Sequence, residues 1–414
     1  LQLETARKRR SYTVDFSLSK EQKDIKRAAA EFAQGEFKPE LAQACELDHR
    51  FPRELYRKAG ELGFIGLDYP AEIGGGCLGI LENVLVIEEF CKADSGFGMA
   101  IHLAYLPAKI VKIFGSPKQK EKFLAPVARG EWISAVSFTE PDHGSDLTRM
   151  ETTLEEREDG FVLNGSKIFT TNAGYADFFI VLAQEDQGAP PGKGMTTILV
   201  ERDPSSWLGG TMEINEIPHK MGIRMTSSGE LVFQDLKVSK ENILGERGRG
   251  LLNVLDFLDE SRIEIGAQAL GNAEGAFLKA LNHSRERSQF HKTIIDFQAI
   301  GHKVARMWSQ IQSIKWLTYY GAWLCDHRTA KMAGAIPLFT SMVKHHVPET
   351  AKEIIDHAIT VFGGYGYFLE QEVERRYRDN RIVEMYEGTV EVQLNTMVRI
   401  LKKLNLDFIN STLL

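Results

Sequence analysis

Two changes of hydrophobic period divide this chain. From Ser19 to about Gly130 the apolar residues recur at helical spacing. Ser19 and Gln22 stand at capping-box distance, and Ile25, Ala28, Ala29 and Phe32 follow at i, i+3, i+4 and i+7. Pro52 and Pro117 sit where first-turn prolines belong, Leu81–Phe90 reads as a further helix, and Gly74, Gly75 and Gly76 mark a turn or a close backbone approach. At about Ile133 the period changes. Ala135–Thr139, Phe161–Leu163, Lys167–Thr171, Phe178–Leu182, Thr196–Val200 and Leu231–Phe233 are short β-rich runs, and Asn164–Gly165 predicts a type I′ hairpin turn. From about Gly250 helices return and lengthen. Leu251, Val254, Leu255 and Leu258 form one stripe; Ala299–Leu324 and Ile336–Val361 form others, the last with Pro348 expected to kink or end it. A period of 3.6 cannot be served by a strand, nor a period of 2 by a helix. The expected fold is therefore multidomain α+β: an N-terminal helical domain (16–134), a middle antiparallel β-domain (135–248), barrel or sandwich, and a C-terminal four-helix bundle (249–414). Residues 1–15, with a basic cluster at Arg7–Arg10, read as an extension, a trimmed transit peptide or a cloning remnant.

Composition narrows the function. Fifty Lys and Arg against 57 Asp and Glu give a net charge of −7, which argues against a general nucleic-acid binder but leaves room for an anionic small molecule held by local arginines. Four cysteines without C-x-x-C spacing speak against a disulfide framework and for a reducing compartment. Unbroken apolar runs such as Phe178–Ala183 are far short of the ~18 residues that span a bilayer, so no transmembrane segment is expected. P-loop, Rossmann, H-E-x-x-H and G-x-S-x-G signatures are all missing, and no metal site is expected from the adjacent His345 and His346.

Three stretches carry chemistry. Ser137–Asp146 (SFTEPDHGSD) runs from a strand into a turn, where Thr139, Ser145 and turn amides offer neutral donors to a polar ring or carbonyl; the plain alternative is a polar loop. Phe362–Tyr367 (FGGYGY) follows a helix and precedes Arg375, Arg376 and Arg378; its plain alternative is a helix C-cap. In Tyr386–Thr389 (YEGT), Glu387 is flanked by Met385 and Tyr386, apolar surroundings that raise a carboxyl toward the range of a working base.

Together with Pro70–Gly76 (PAEIGGG), Leu163–Asn172 (LNGSKIFTTN), Gly245–Gly250 (GERGRG) and Arg285–Phe290 (RERSQF), these stretches resemble the acyl-CoA dehydrogenase family, in register from about Phe16 to Lys403. The resemblance implies FAD held between the β-domain and the bundle, in a homo-oligomer, usually a homotetramer. It implies that Phe138, Thr139 and Ser145 line the flavin and thioester end, with Phe169, Thr170 and Thr171 against the isoalloxazine. Arg287, Phe290, Gln298, Gly363 and Gly364 would meet the adenine half, from a neighbouring subunit, while Thr389 and Glu391 lie near the phosphates and ribityl chain. Asp259 and Arg262, with Ser145 and Gly388, would take the acyl-CoA substrate. Glu387 would abstract the α-proton while its backbone N–H helps hold the carbonyl; the β-hydride goes to flavin N5 and a 2,3-enoyl-CoA results. Electron-transferring flavoprotein is the implied acceptor, and a bacterial cytoplasm or a mitochondrial matrix the implied compartment.

Some relatives carry the base just before the arginine matching Arg262; here that residue is Ser261, and Glu260 lies about 100° round the helix. His143, Thr360, Phe169, Arg149 and Pro348 also depart from the family pattern, and Gly98 stands where glutaryl-type members carry an arginine. His143 either shapes the substrate pocket or is a surface turn histidine. The alternatives within enzymes are an enoyl-CoA reductase or an acyl-CoA oxidase on the same scaffold. Outside them stands a non-catalytic flavin-binding subunit.

Overall fold

A computed structural model of the chain describes residues 16–329 and 334–404; the basic N-terminal extension lies outside the described residues. Helix α1 (Lys20–Glu36) opens on the expected box, with Gln22 N donating to Ser19 Oγ (3.1 Å) and Ser19 N to Gln22 Oε1 (2.9 Å). Then come α2 (Pro39–Leu47), α3 (Arg53–Glu61), α4 (Ile80–Ala93), α5 (Ser95–Tyr105), α6 (Lys109–Phe114) and the short α7 (Pro117–Gln119) and α8 (Ala125–Ala128). Pro117 sits in the first turn of α7, whereas Pro52 is the N-cap residue of α3, one place earlier than expected. By length and composition Ser95–Phe114 could cross a membrane, which unbroken-run counting misses because His102 and Lys109 interrupt it; 83% of its apolar window is buried inside the protein. It is a core segment here. The α5 backbone packs so closely on α4 that a Cβ on Gly98 would stand 2.6 Å from Cys91 N, which leaves no room for an arginine there.

Strands β1 (Ser134–Ser137), β2 (Thr153–Arg157), β3 (Gly160–Thr171), β4 (Phe178–Gln184), β5 (Met195–Glu201), β6 (Gly209–Glu216), β7 (Ser228–Val238) and β8 (Ile243–Leu244) form one sheet in the order β6-β7-β3-β2-β4-β5-β8, with β1 beside β4. It is antiparallel except where β1 and β2 run parallel to β4. Asn164–Gly165 is not a hairpin turn. Both residues lie inside the single strand β3, at a register shift against β7, with Gly165 at φ +131°. The Asn164 side chain is spent across the sheet, accepting from Asp235 N (2.7 Å) and donating to Asp235 Oδ1 (3.2 Å), so the Asn-Gly pair builds a bulge instead of a reversal.

The C-terminal part comprises α9 (Gly250–Glu286), the small ribbon β9 (Ser288–Gln289) with β10 (Lys292–Thr293), α10 (Gln298–Asp326), α11 (Ile336–Phe362), α12 (Val373–Val383) and α13 (Val390–Leu401). Helices α9, α10, α11 and α13 pack together, and α9 also lies along α4. Val254 and Leu258 of the expected stripe are buried, but Leu255 is 44% exposed; Asn253 and Phe257 take the inward places instead. Helix α11 continues through Pro348 rather than ending there. The proline has no N–H for the Lys344 carbonyl one turn back, and its own carbonyl accepts from Asn380 Nδ2 (3.1 Å).

Candidate functional site

Glu387 and Gly388 form the turn between α12 and α13, both with left-handed backbone (φ +56° and +95°). For a glutamate that conformation is uncommon and has to be held by its surroundings. The carbonyl of Glu387 accepts from Arg262 Nε (3.3 Å) and from Gln393 Nε2 (3.1 Å); the carbonyl of Gly388 accepts from Gln393 Nε2 (3.1 Å) and Lys344 Nζ (3.3 Å). Any side chain at position 388 would strike Gln393 Nε2, 2.5 Å from a Cβ there. Thr389 caps α13, its Oγ1 accepting from Val392 N (3.4 Å). Ser261 Oγ donates to the Glu387 carboxylate at 2.7 Å. Burial pushes this carboxyl up to about 7, against the pull of the Ser261 hydrogen bond and of Lys344 and Arg262. Among the described residues nothing accepts from the Glu387 N–H.

The neighbouring Tyr386 anchors a buried polar path. Its hydroxyl donates to Gln268 Oε1, and Gln268 Nε2 meets His102 Nδ1 at 2.6 Å. That leaves the His102 Nε2–H for Glu264 (3.2 Å), and burial holds the imidazole neutral by lowering its pKa. Glu264 is paired with Lys109 (2.6 Å), Lys109 with Asp68 (3.0 Å), Asp68 with Lys112 (2.7 Å) and Lys112 with Glu260 (3.6 Å). Glu260 is thus turned to α6, away from Glu387.

Arg262 and Asp259 are both buried, yet they do not pair with each other. Arg262 braces the Glu387 carbonyl, while Asp259, raised to about 6 by burial, meets Arg328 (3.4 Å) and Thr340 (3.4 Å).

In the turn after β1, Glu140 is fixed by Lys167 Nζ (2.7 Å) and by the N–H groups of Glu151 (2.7 Å) and Thr152 (2.9 Å). Phe138 and Thr139 are partly exposed, and Gly144, Ser145 and Asp146 are open to solvent. On the facing β3, Phe169 is 65% exposed at φ +57° and Thr171 partly exposed. Thr170 points inward, its hydroxyl 3.0 Å from Ser137 Oγ, and offers no side chain to a ligand. His143, only partly exposed, sits 3.5 Å from Glu151 in this turn. Thr360 spends its hydroxyl on Asp356 O (3.0 Å) within α11.

A second cleft of about 850 Å³ lies at the far end of the bundle and is lined by Arg287, Phe290, Phe297, Gly363, Gly364 and Tyr365. Phe290 is 84% exposed, and a Cβ on Gly363 or Gly364 would meet nothing within 4 Å. Gln298 does not line this cleft. At 1.5 Å per residue the cleft stands about 38 Å from Arg262 along α9, so within one chain it is remote from Glu387.

Sequence reasoning passed over Ser261 as unable to act as a base and did not reach Gln268, Gln393 or Lys344. A lysine in the apolar face of α11 was the available signal for the last. Among the described residues no cluster of three His, Cys, Asp or Glu is placed to hold a metal ion, and all four cysteines are free.

Comparison with known proteins covers all three parts. The family profiles "Acyl-CoA dehydrogenase, N-terminal domain", "middle domain" and "C-terminal domain" match residues 19–131, 135–236 and 248–402. A short-chain specific acyl-CoA dehydrogenase of Clostridium acetobutylicum is 37% identical over 383 residues, 92% of this chain and 97% of that one. An acryloyl-CoA reductase (NADH) of Anaerotignum propionicum is 35% identical over 401 residues, 95% of this chain and 97% of that one. The solved butyryl-CoA dehydrogenase of Megasphaera elsdenii superposes with a TM-score of 0.87 at 34% identity, covering 94% of this chain and all of the other.

Proposed function

The chain belongs to the acyl-CoA dehydrogenase family, FAD-dependent oxidoreductases of CH–CH bonds, and we propose that it oxidises a short acyl-CoA thioester with Glu387 as the base. The observation that carries the reading is the Glu387 carboxylate itself, held by Ser261 at 2.7 Å and raised to about 7 by burial. A base titrating near neutrality is ionised often enough to act and basic enough to take a weakly acidic α-proton. The unpaired Glu387 N–H supports a second role for the same residue, donating to the thioester oxygen as charge develops there. Arg262 and Gln393 keep that turn still, so the base is presented in one orientation.

The residues present fit FAD. Phe138, Thr139, Ser145, Phe169 and Thr171 offer an exposed apolar and hydroxyl edge for a flavin ring, and Arg287, Phe290, Gly363 and Gly364 an open cleft with a guanidinium and bare backbone for a dinucleotide. FAD, when bound, supplies the hydride acceptor. The distance along α9 supports a homo-oligomer, on the family pattern a tetramer, in which this cleft serves a neighbouring copy's site. Electron-transferring flavoprotein is the proposed electron acceptor. The same base geometry also serves the reverse direction, and the likeness to an acryloyl-CoA reductase keeps that reading as the second one.

Glu387→Gln is the test. The variant should fold, hold FAD and bind acyl-CoA, and anaerobic flavin reduction by a panel of short acyl-CoAs should fall by several orders of magnitude. Near wild-type reduction in Glu387→Gln, with loss in Glu260→Gln, would move the base to α9 and sink the assignment.

A further inference from the structure

We propose that Lys344 is a positioning residue for this base: its buried ammonium joins the two sides of the turn that carries Glu387 and supplies, beside Arg262, a positive charge facing that carboxylate. The inference rests on Glu387 being the base.

Lys344 lies about a third of the way along α11 and is fully buried. Its Nζ donates to Val383 O at 2.6 Å and to Gly388 O at 3.3 Å, and it lies 5.9 Å from the centre of the Tyr386 ring. Val383 is the last residue of α12, where carbonyls lose their helical partners, and Gly388 follows Glu387 directly. One side chain therefore fixes the chain before and after the base.

Charge points to the same pairing. Three lysines among the described residues are completely buried: Lys109, Lys167 and Lys344. Lys109 is paired with Asp68 and Glu264, and Lys167 with Glu140, as the cost of burying a charge requires. Lys344 has carbonyl partners but, among the described residues, no ion pair. The charged groups that face it are Glu387 and Glu384 from the turn and Arg262 from α9. Glu384 is already neutralised by Arg381 and by Lys352 (2.9 Å), and Glu264, which also faces Glu387, is held by Lys109. Glu387 is the carboxylate left for Lys344 to answer. Burial lowers the lysine's own pKa to about 7, so its charge near neutral pH is held by the ionised Glu387, and the two groups titrate as a pair.

The experiment compares Lys344→Gln, Lys344→Met and Lys344→Arg in the FAD-loaded protein. Acetyl-CoA has acidic α-hydrogens but no β-carbon, so exchange of those hydrogens in D2O, followed by NMR from about pH 6 to about pH 10, reads the base without any redox step. Anaerobic flavin reduction by butanoyl-CoA is read beside it, with melting temperature and flavin absorbance. Removing the cation in Lys344→Gln or Lys344→Met should move the exchange midpoint up by about one pH unit, so the rate near pH 7 falls roughly fivefold and recovers in alkali. Maximal reduction rate at neutral pH should fall while the half-saturating concentration holds, and Lys344→Arg should keep the wild-type midpoint. An unmoved midpoint in Lys344→Gln overturns the proposal. So does a uniform loss across pH with a lowered melting temperature, or failure of both neutral variants to fold, since either makes Lys344 structural only. Exchange surviving in Glu387→Gln would instead overturn the base reading, whatever Lys344 does.

Discussion

Ser261→Ala removes the hydroxyl that donates to the Glu387 carboxylate, the proposed base, at 2.7 Å and leaves everything else in the turn intact. A hydrogen bond to a charged group contributes about 1.5–3 kcal/mol, and 1.36 kcal/mol corresponds to one pKa unit, so its loss should raise the carboxyl by about one to two units. Starting from about 7, the midpoint moves to about 8–9. The ionised fraction at pH 7 then drops from about a half to between about a tenth and about a hundredth, and flavin reduction should fall roughly 5- to 50-fold. Water reaching the partly exposed Glu387 pulls the result toward the smaller figure. Anaerobic stopped-flow reduction measured across pH gives the midpoint, and Ser261→Thr, which keeps a hydroxyl, is the control. The variant should recover most of its rate in alkali. A Ser261→Ala midpoint equal to or below the wild type would refute the reasoning, because a donor to the carboxylate can only favour its charged form.

Glu387 should also cost stability. Its folded pKa of about 7 lies above the ordinary 4.5, so the native state binds more protons than the unfolded one between those values and stability falls as pH rises through them. Glu387→Gln should therefore melt higher than wild type above pH 7, by up to about 3 kcal/mol, and converge with it near pH 4.5; equal melting at all pH values would contradict the burial argument. Gly98→Ala places a Cβ 2.6 Å from Cys91 N and should lower stability by about 1–3 kcal/mol in denaturant titration, with a neutral result showing that α4 and α5 can part. Arg287→Ala should lower flavin content after gel filtration without changing the acetyl-CoA exchange midpoint, and full retention of FAD would deny the distal cleft its role.

The order of helix, sheet and helix was legible because periods of 3.6 and 2 leave different marks over long segments. Its failures were local. Asn164–Gly165 carries turn chemistry, but the Asp235 that occupies the asparagine is 71 residues away, and no short-range rule sees it. Leu255 fits a stripe on α9, yet a helix packed on several neighbours buries Asn253 and Phe257 instead. Within the site, the upward shift of the Glu387 carboxyl was the expectation its neighbours gave, although Met385 is 43% exposed and the burial comes from elsewhere. Ser261, Lys344 and Gln393 were not legible, since each matters only through the turn it reaches, and that turn comes from a different stretch of chain in every case but Gln393. Arg262 was assigned to substrate from the resemblance; in the fold its Nε is engaged with the Glu387 carbonyl, a contact with a turn 125 residues away that no local pattern shows.

The path from Tyr386 through Gln268, His102, Glu264, Lys109 and Asp68 to Lys112 has a consequence for recombination. It threads four separate stretches of sequence, drawn from both helical regions, into one set of donors and acceptors. Chimeras that exchange the N-terminal helices with those of a relative would cut it at three links, Gln268–His102, His102–Glu264 and Glu264–Lys109. Crossovers that carry positions 68, 102, 109 and 112 together with 264, 268 and 386 preserve it. The units that can be traded between such proteins are thus set by this buried path and not by the boundaries of the sheet and the bundle.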